Sequence, residues 1–424
     1  MRVLVASDYY PPFIGGAQIQ TQLLARRLTA DGNVVAVATA WQNDLPTREH
    51  DGGIEIHRLR QLRTLPWLAR RQFQHHQPPF PDPVTTVQLR RLIRRFRPDV
   101  VHSYGWISFS AAAALVGLDV PLLITARDYG YSCAKRTLVF DGDICTGPAL
   151  AKCMGCAGRH YGVPKGWIAA AGVLATRPLL RRKARGIHSV STYVRDIVRR
   201  DFLDDRSRDM AGQVIHDVIG SVAEEDPHAF APGDEDADRY AVLEQLPHEP
   251  YMLFVGAFRR VKGIDELLEA YTRLESPPPL VLLGTMEPDS PASFPPGVHV
   301  ITNVPHAAVL AAAASRRCLF GVMPSLLPEP FGTVVCEVMS QGKPVIGTEP
   351  GGHTDMIQDG VSGLLVPRND IDALVEAMQS LISDAELRER LGRAAIERAR
   401  EFTADVALPR LERLYENVAA SDPA

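Results

Sequence analysis

Long apolar runs are missing from this sequence. No stretch reaches the roughly 20 residues that a membrane-spanning helix needs. The N-terminus, Met1-Arg2-Val3-Leu4-Val5-Ala6-Ser7, reads as a short strand without the apolar core of a secretory leader, so a cytoplasmic protein is expected. Cysteine is scarce, with six in 424 residues, and disulfides are disfavoured in a cytoplasmic chain. A Gly-x-Gly-x-x-Gly run after the first strand is absent from both halves, which argues against a nicotinamide dehydrogenase. Acidic residues are sparse in one half only. Residues 1–200 carry 28 Lys and Arg against 13 Asp and Glu, whereas the remainder carries 18 against 37. A basic half attracts phosphates or an anionic membrane surface, although two solvated surfaces of opposite sign account for the counts equally well.

What is present points to two α/β domains. The length exceeds one ordinary domain, and 46% of the residues are apolar. Arg2–Ser7 is a continuous β-type run, as in a buried parallel strand. Gly15-Gly16 then opens a helical pattern, and its glycines admit a ligand close to the backbone. Strands follow at Val34–Ala40 and Ile54–Leu59, the latter alternating as a strand near a sheet edge does. Residues 61–83 read as a long loop. Val84–Phe96 forms a basic amphipathic helix with Arg90, Arg91, Arg94 and Arg95, a pattern of membrane-surface contact or of a solvated face. Asp99–Trp106 is a strand and its exit loop. Ligands bind outside the carboxyl ends of parallel strands, so His102, Tyr104 and Trp106 are predicted to face a cleft. After the strand Pro121–Ala126 come Arg127-Asp128 and then Cys133, Cys145, Cys153 and Cys156. Cys153-x2-Cys156 has the spacing of half a zinc site, but the other spacings are irregular. A structural metal, redox-sensitive thiols and disulfides all remain open readings. The acidic stretch 204–238 is the best linker candidate.

The second half is organised around Glu329-Pro330-Phe331-Gly332-Thr333-Val334-Val335-Cys336-Glu337. It follows the apolar run ending at Met323 and leads through Gly342-Lys343-Pro344 into another strand. The order is strand, tight loop, helix, strand. A helix start presents unpaired N–H groups and a partial positive charge, which suits a phosphate. Two carboxylates beside it can hold sugar hydroxyls. Upstream, Arg259, Arg260 and Lys262 gather cationic charge after the strand Tyr251–Gly256, an arrangement that can neutralise a diphosphate.

Taken together, Phe254-Val255-Gly256 with Lys262-Gly263, Met323-Pro324-Ser325, the Glu329–Glu337 block, Gly342-Lys343-Pro344-Val345, Gly351-Gly352-x2-Asp355 and Gly360-x2-Gly363-Leu364 resemble the family 4 retaining glycosyltransferases. The resemblance covers nearly the whole chain. It implies the GT-B fold, two Rossmann-like domains facing across a cleft: an acceptor domain over 1–210 with a Cys-containing insertion at about 127–162, a linker at 211–248 and a donor domain over 249–403. A last helix over 404–424 would return to the first domain. By the same resemblance, Glu329 holds donor-sugar hydroxyls and Glu337 the ribose. Lys262 binds the diphosphate, with Arg259 or Arg260 as a second cation because Ala257 stands where relatives carry arginine. The backbone of Phe331, Gly332, Thr333 and Val334 meets sugar and phosphate. Gly15 and Gly16 lie near the diphosphate, and His102 near the donor sugar.

The implied reaction moves a sugar, as a hexosyltransferase does, from a nucleotide-diphosphate sugar to a hydroxyl of a glycan, lipid-linked or small-molecule acceptor. It retains configuration and needs no metal for catalysis. No nucleic-acid partner is expected, and peripheral contact with the inner face of the membrane fits the basic half. Ala257 and Arg127 depart from the family pattern and motivate a rival, a protein that binds a nucleotide sugar or glycan without turnover. A second rival is another GT-B enzyme, a sugar-nucleotide epimerase.

Overall fold

The computed structural model describes residues 1–12, 16–42, 45–64, 76–203, 213–214 and 242–420. The chain divides into two compact units. One comprises Met1–Asp217 with Leu408–Ala424, and the other Val218–Ala407. Gly15 and most of the acidic linker candidate lie outside the described residues.

The first unit is built on strands β1 (Arg2–Ser7), β2 (Val34–Ala40), β3 (Arg48–Asp51), β4 (Ile54–Leu59), β5 (Val100–Tyr104), β6 (Leu122–Ala126), β9 (Ala184–Ser189) and β10 (Gln213–Val214). A separate hairpin holds β7 (Val139–Phe140) and β8 (Asp143–Ile144). The sheet order is β10-β9-β6-β5-β1-β2-β4-β3, parallel except for β3. The alternating strand β4 lies next to the edge, as its pattern predicts. The unbroken apolar runs lie inside: Val3, Leu4, Val5, Val100, Val101 and Leu122 to Ile124 have no exposed surface. Helices on both faces demand strands that are apolar on both faces.

The arginine-rich helix runs Pro83–Phe96, capped by Asp82, whose carboxylate accepts from the Thr85 N–H. Its buried residues, Leu89, Leu92, Ile93 and Phe96, share one face. Two helices, Leu150–Tyr161 and Val163–Lys183, occupy a region whose sequence suggested only a cysteine-rich segment and a basic stretch. Neither has a side-chain N-cap, and the second contains Pro178, although Gly162, at φ +83°, separates the two and Pro164 opens the second, both ordinary boundary signals. The last helix, Ala404–Ala420, buries Leu414 and Val418 over Gly186 of β9.

The second unit carries β11 (Tyr251–Ala257), β12 (Leu280–Thr285), β13 (Val298–Thr302), β14 (Cys318–Met323), β15 (Val345–Glu349) and β16 (Leu364–Pro367), all parallel, in the order β13-β12-β11-β14-β15-β16. Numbered within the unit, this is 3-2-1-4-5-6, the doubly wound order whose ligand crevice opens where the winding reverses, between strands 1 and 4. In the first unit the same reversal falls between β1 and β5. Both positions hold the residues described next. Among the described residues, no helix is long and apolar enough to cross a membrane.

Candidate functional site

In the second unit the winding reverses between β11 and β14. The chain leaves β11 into a 3-10 turn, Arg260–Lys262, and leaves β14 through Pro324-Ser325 toward Glu329. Two features press these loops together. Gly263 has φ +73°, a left-handed conformation that side chains resist, and a Cβ there would penetrate the Pro324 carbonyl. The Val261 carbonyl accepts from the N–H groups of Leu326 and Leu327, both at 3.0 Å. Gly263→Ala therefore combines a clash with a strained φ. It is expected to lower the melting temperature by several degrees, at about 2–4 °C per kcal/mol for a unit of this size, as calorimetry would show.

This packing delivers the charges. Lys262 Nζ lies 2.7 Å from Glu329 Oε1, and Ser325 Oγ donates to the same oxygen at 2.6 Å. The Glu329 side chain is 9% exposed, whereas that of Lys262 is 36% exposed. Burial alone pushes the Glu329 carboxyl up. Lys262 and His353, with the hydrogen bonds from Lys262 and Ser325, outweigh it and hold the group below its ordinary value. The site thus keeps a buried, ionised carboxylate against a partly open ammonium.

His353, inside the Gly351-Gly352-x2-Asp355 motif, begins the short helix His353–Met356. It is 2% exposed, and its Nδ1 accepts from the Thr348 N–H at 3.2 Å. The proton of the neutral ring is therefore on Nε2, the atom beside Gly332. Burial lowers its pKa to about 4, against the pull of Glu329. The unfolded chain takes up this proton near pH 6.5 and the folded one near 4. Stability should therefore fall as pH drops through that window, by about 3 kcal/mol in total. Glu329, held below its ordinary value, loses its contribution only at lower pH. Urea unfolding of wild type and His353→Gln between pH 7 and 4 tests this: the variant should show a shallower loss across the window, and parallel curves would refute it.

The loop Gly351-Gly352 lies directly on the Glu329–Phe331 backbone. The Gly352 N–H donates to the Glu329 carbonyl at 2.6 Å, and a Cβ on Gly352 would collide with the Pro330 carbonyl. Gly332, at φ +102°, then starts the helix Thr333–Ser340, and no side chain caps that start. Phe331 is buried, its ring 5.7 Å from that of Phe402. Thr333 and Val334 form the first helical turn. Glu337, on the same helix, is 4% exposed and lies 3.1 Å from His306 Nε2. Lys262, Ser325, Glu329 and His353 therefore meet around the ends of three neighbouring strands, β11, β14 and β15. Arg259 and Arg260 instead pair with Asp289 at 3.3 Å and Asp265 at 3.0 Å on the surface.

In the first unit, the reversal between β1 and β5 is closed by Asp8. Its carboxylate accepts from the N–H groups of Trp106 (3.0 Å) and Ile107 (2.7 Å). Beside it opens a cavity of about 1050 Å³, lined by Tyr9, Phe80, Trp106, Arg136, Tyr161 and Lys165 among others. Arg136 bridges Asp128 and Asp8. Gly16 begins the helix Gly16–Ala30. Arg127 lies over the Tyr104 ring at 4.2 Å.

Of the three residues expected to face a cleft, Trp106 does line this cavity, but the expectation is corrected for His102 and Tyr104, which are 0% and 3% exposed and are not part of its wall. His102 is the middle residue of β5, so its side chain points to a face of the sheet and not out of its end. There its Nδ1 meets the Tyr415 hydroxyl and its Nε2 that of Thr125, both at 2.6 Å. Burial holds its pKa well below the ordinary value. The ring is a structural hub under the last helix.

A family model described as "Glycosyl transferases group 1" matches residues 241–398, and one described as "Glycosyl transferase 4-like domain" matches 15–210. D-inositol 3-phosphate glycosyltransferase of Paenarthrobacter aurescens is 25% identical over 405 residues, covering 92% of this chain and 89% of that protein. Other curated glycosyltransferases are 32–34% identical over 173–221 residues, and there the chain spans about half of their length, 44–52%. Among solved structures, sucrose-phosphate synthase from Thermosynechococcus elongatus superposes with a TM-score of 0.74 at 21% identity, covering 99% of this chain and all of that one. The HepE protein of Anabaena, solved in complex with UDP-glucose, gives 0.63 at 15% identity over 98% of this chain and all of that one. Two α/β units of this winding, with both family models matching in order, place the chain in the family 4 glycosyltransferases of the GT-B fold.

Proposed function

We propose that this protein transfers a sugar from a nucleotide-diphosphate sugar to a hydroxyl acceptor, with retention of configuration. The observation that carries this reading is the Lys262–Glu329–Ser325 cluster at the winding reversal of the second unit, beside an uncapped helix start. A UDP-glucose complex of a protein with the same fold supports the donor class.

In this reading the diphosphate meets Lys262 and the N–H groups at the start of Thr333–Ser340. Negative charge grows on the departing phosphate oxygen, and fixed positive groups stabilise it more in the transition state than in the ground state. Glu329 accepts hydrogen bonds from the sugar hydroxyls and orients the ring; it is not a nucleophile. Glu337 takes the ribose hydroxyls. The acceptor occupies the cavity of the first unit, and its hydroxyl attacks as the phosphate leaves and takes the proton. The donor sugar is a hexose, and the protein works in the cytoplasm, where its basic half meets the inner membrane surface.

A thermal-shift panel of UDP-, GDP-, ADP- and dTDP-sugars tests the donor. The right one should raise the melting temperature by mass action. Mass spectrometry of the same mixtures, with and without acceptors, should then show nucleoside diphosphate release. Binding of a nucleotide sugar with no release under any condition would refute transfer. An epimerised donor would replace it with another reaction.

A further inference from the structure

The four cysteines of the first unit come from three separate segments. Cys133 ends the turn after Tyr129, Cys145 follows the hairpin β7–β8, and Cys153 and Cys156 lie one turn apart on the helix Leu150–Tyr161. Their spacing, C-x11-C-x7-C-x2-C, gives no reason by itself for them to meet. Nevertheless all four line one small cavity of about 30 Å³. All four are free thiols.

The loop that carries Cys133 is tied together by its backbone: the Arg136 N–H donates to the Cys133 carbonyl at 3.0 Å, and the Cys145 N–H donates to the Leu138 carbonyl at 2.8 Å, which brings the second cysteine to the first. Arg136 and Leu138 adopt φ +64° and +55°, a left-handed backbone uncommon outside glycine.

This part of the unit also has little to hold it together. The hairpin strands are two residues each. The core beneath is Ala134, Ala157, Ala169, Ala170 and Val173, with Cys153 and Met154 packed against it. Such small side chains bury little apolar area, and segments short of core commonly rely on a cross-link.

We propose that Cys133, Cys145, Cys153 and Cys156 form a structural site for one zinc ion. Four thiolates suit a tetrahedral, borderline-soft cation. Among the described residues no three His, Cys, Asp or Glu side chains stand arranged to hold a metal. Because the backbone already brings all four residues to one cavity, the step required is rotation of side chains onto the ion. The bound metal would fix the loop that carries Arg136 and the helix that carries Tyr161, two walls of the 1050 Å³ cavity. Its role is positional and independent of the transfer chemistry.

The test is metal analysis of the full chain, purified under reducing conditions without added chelator. About one zinc per chain is expected. Titration with a mercurial, read by a zinc-sensitive dye, should release it as four thiols react. The Cys153→Ser/Cys156→Ser variant should hold at least roughly tenfold less zinc, whereas Cys318→Ser, in the second unit, should keep it. The mercurial titration uses the wild-type chain, so the proposal stays testable if the double variant does not fold. Four reactive thiols with no metal would overturn it, as would disulfide-linked pairs seen as lost thiols, or iron with acid-labile sulfide.

Discussion

Lys262→Ala is expected to lower kcat roughly 100- to 1,000-fold, the usual effect of deleting one fixed group that stabilises transition-state charge. Structure adds a second consequence. Lys262 offsets a Glu329 carboxylate that is almost fully buried, so its loss leaves that charge partly uncompensated. Breaking a fully buried pair from one side costs about 3–5 kcal/mol and an exposed one about 0–1. Lys262 is one-third exposed and Ser325 still donates to Glu329, so about 2 kcal/mol lies between these limits. The two effects can be separated. In Lys262→Ala/Glu329→Gln the buried charge is gone, so stability should return toward wild type while turnover does not. Near-wild-type kcat in Lys262→Ala, once the nucleotide sugar that supports transfer is known, would remove the charge argument.

Glu329→Gln is the second large effect, of a different kind. The substitution keeps the shape and one acceptor oxygen for Ser325, but it removes the charge that strengthens hydrogen bonds from sugar hydroxyls. Hydrogen bonds to a charged group contribute about 1.5–3 kcal/mol, so donor kcat/KM should fall roughly ten- to hundredfold. Stability should suffer less than in Lys262→Ala, because the ammonium left behind reaches solvent. A nucleoside diphosphate lacking the sugar should bind the variant almost as well as wild type. Equal loss of affinity for diphosphate and for nucleotide sugar would contradict a role at the sugar.

Much of the architecture was legible along the chain. The continuous apolar runs at Val3–Ala6, Val100–Val101 and Met252–Phe254 became central parallel strands, because only strands covered on both faces read that way. The arginine-rich helix, read as beginning at Val84, begins one residue earlier at Pro83 under the Asp82 cap, a start signal present in the sequence but not used. The helices Leu150–Tyr161 and Val163–Lys183 escaped because neither has a side-chain N-cap, the first carries two glycines, and Pro178 interrupts the second. Glu329, Glu337 and Lys262 were visible as candidates. Ser325 and His353 stood inside quoted motifs, but nothing in their spacing says that they flank a carboxylate.

The order of residues alone determined the strand and helix pattern, the two α/β units and the motifs that mark the family, because periodicity and turn chemistry act over a few neighbouring residues. Tertiary structure decided which side chains meet. It set Lys262 against Glu329 across 67 positions of sequence, turned His102 inward onto Tyr415, and gathered four distant cysteines around one cavity. Those neighbours follow from the winding of each sheet and from where glycine lets backbones touch, quantities that exist only once the strands have paired.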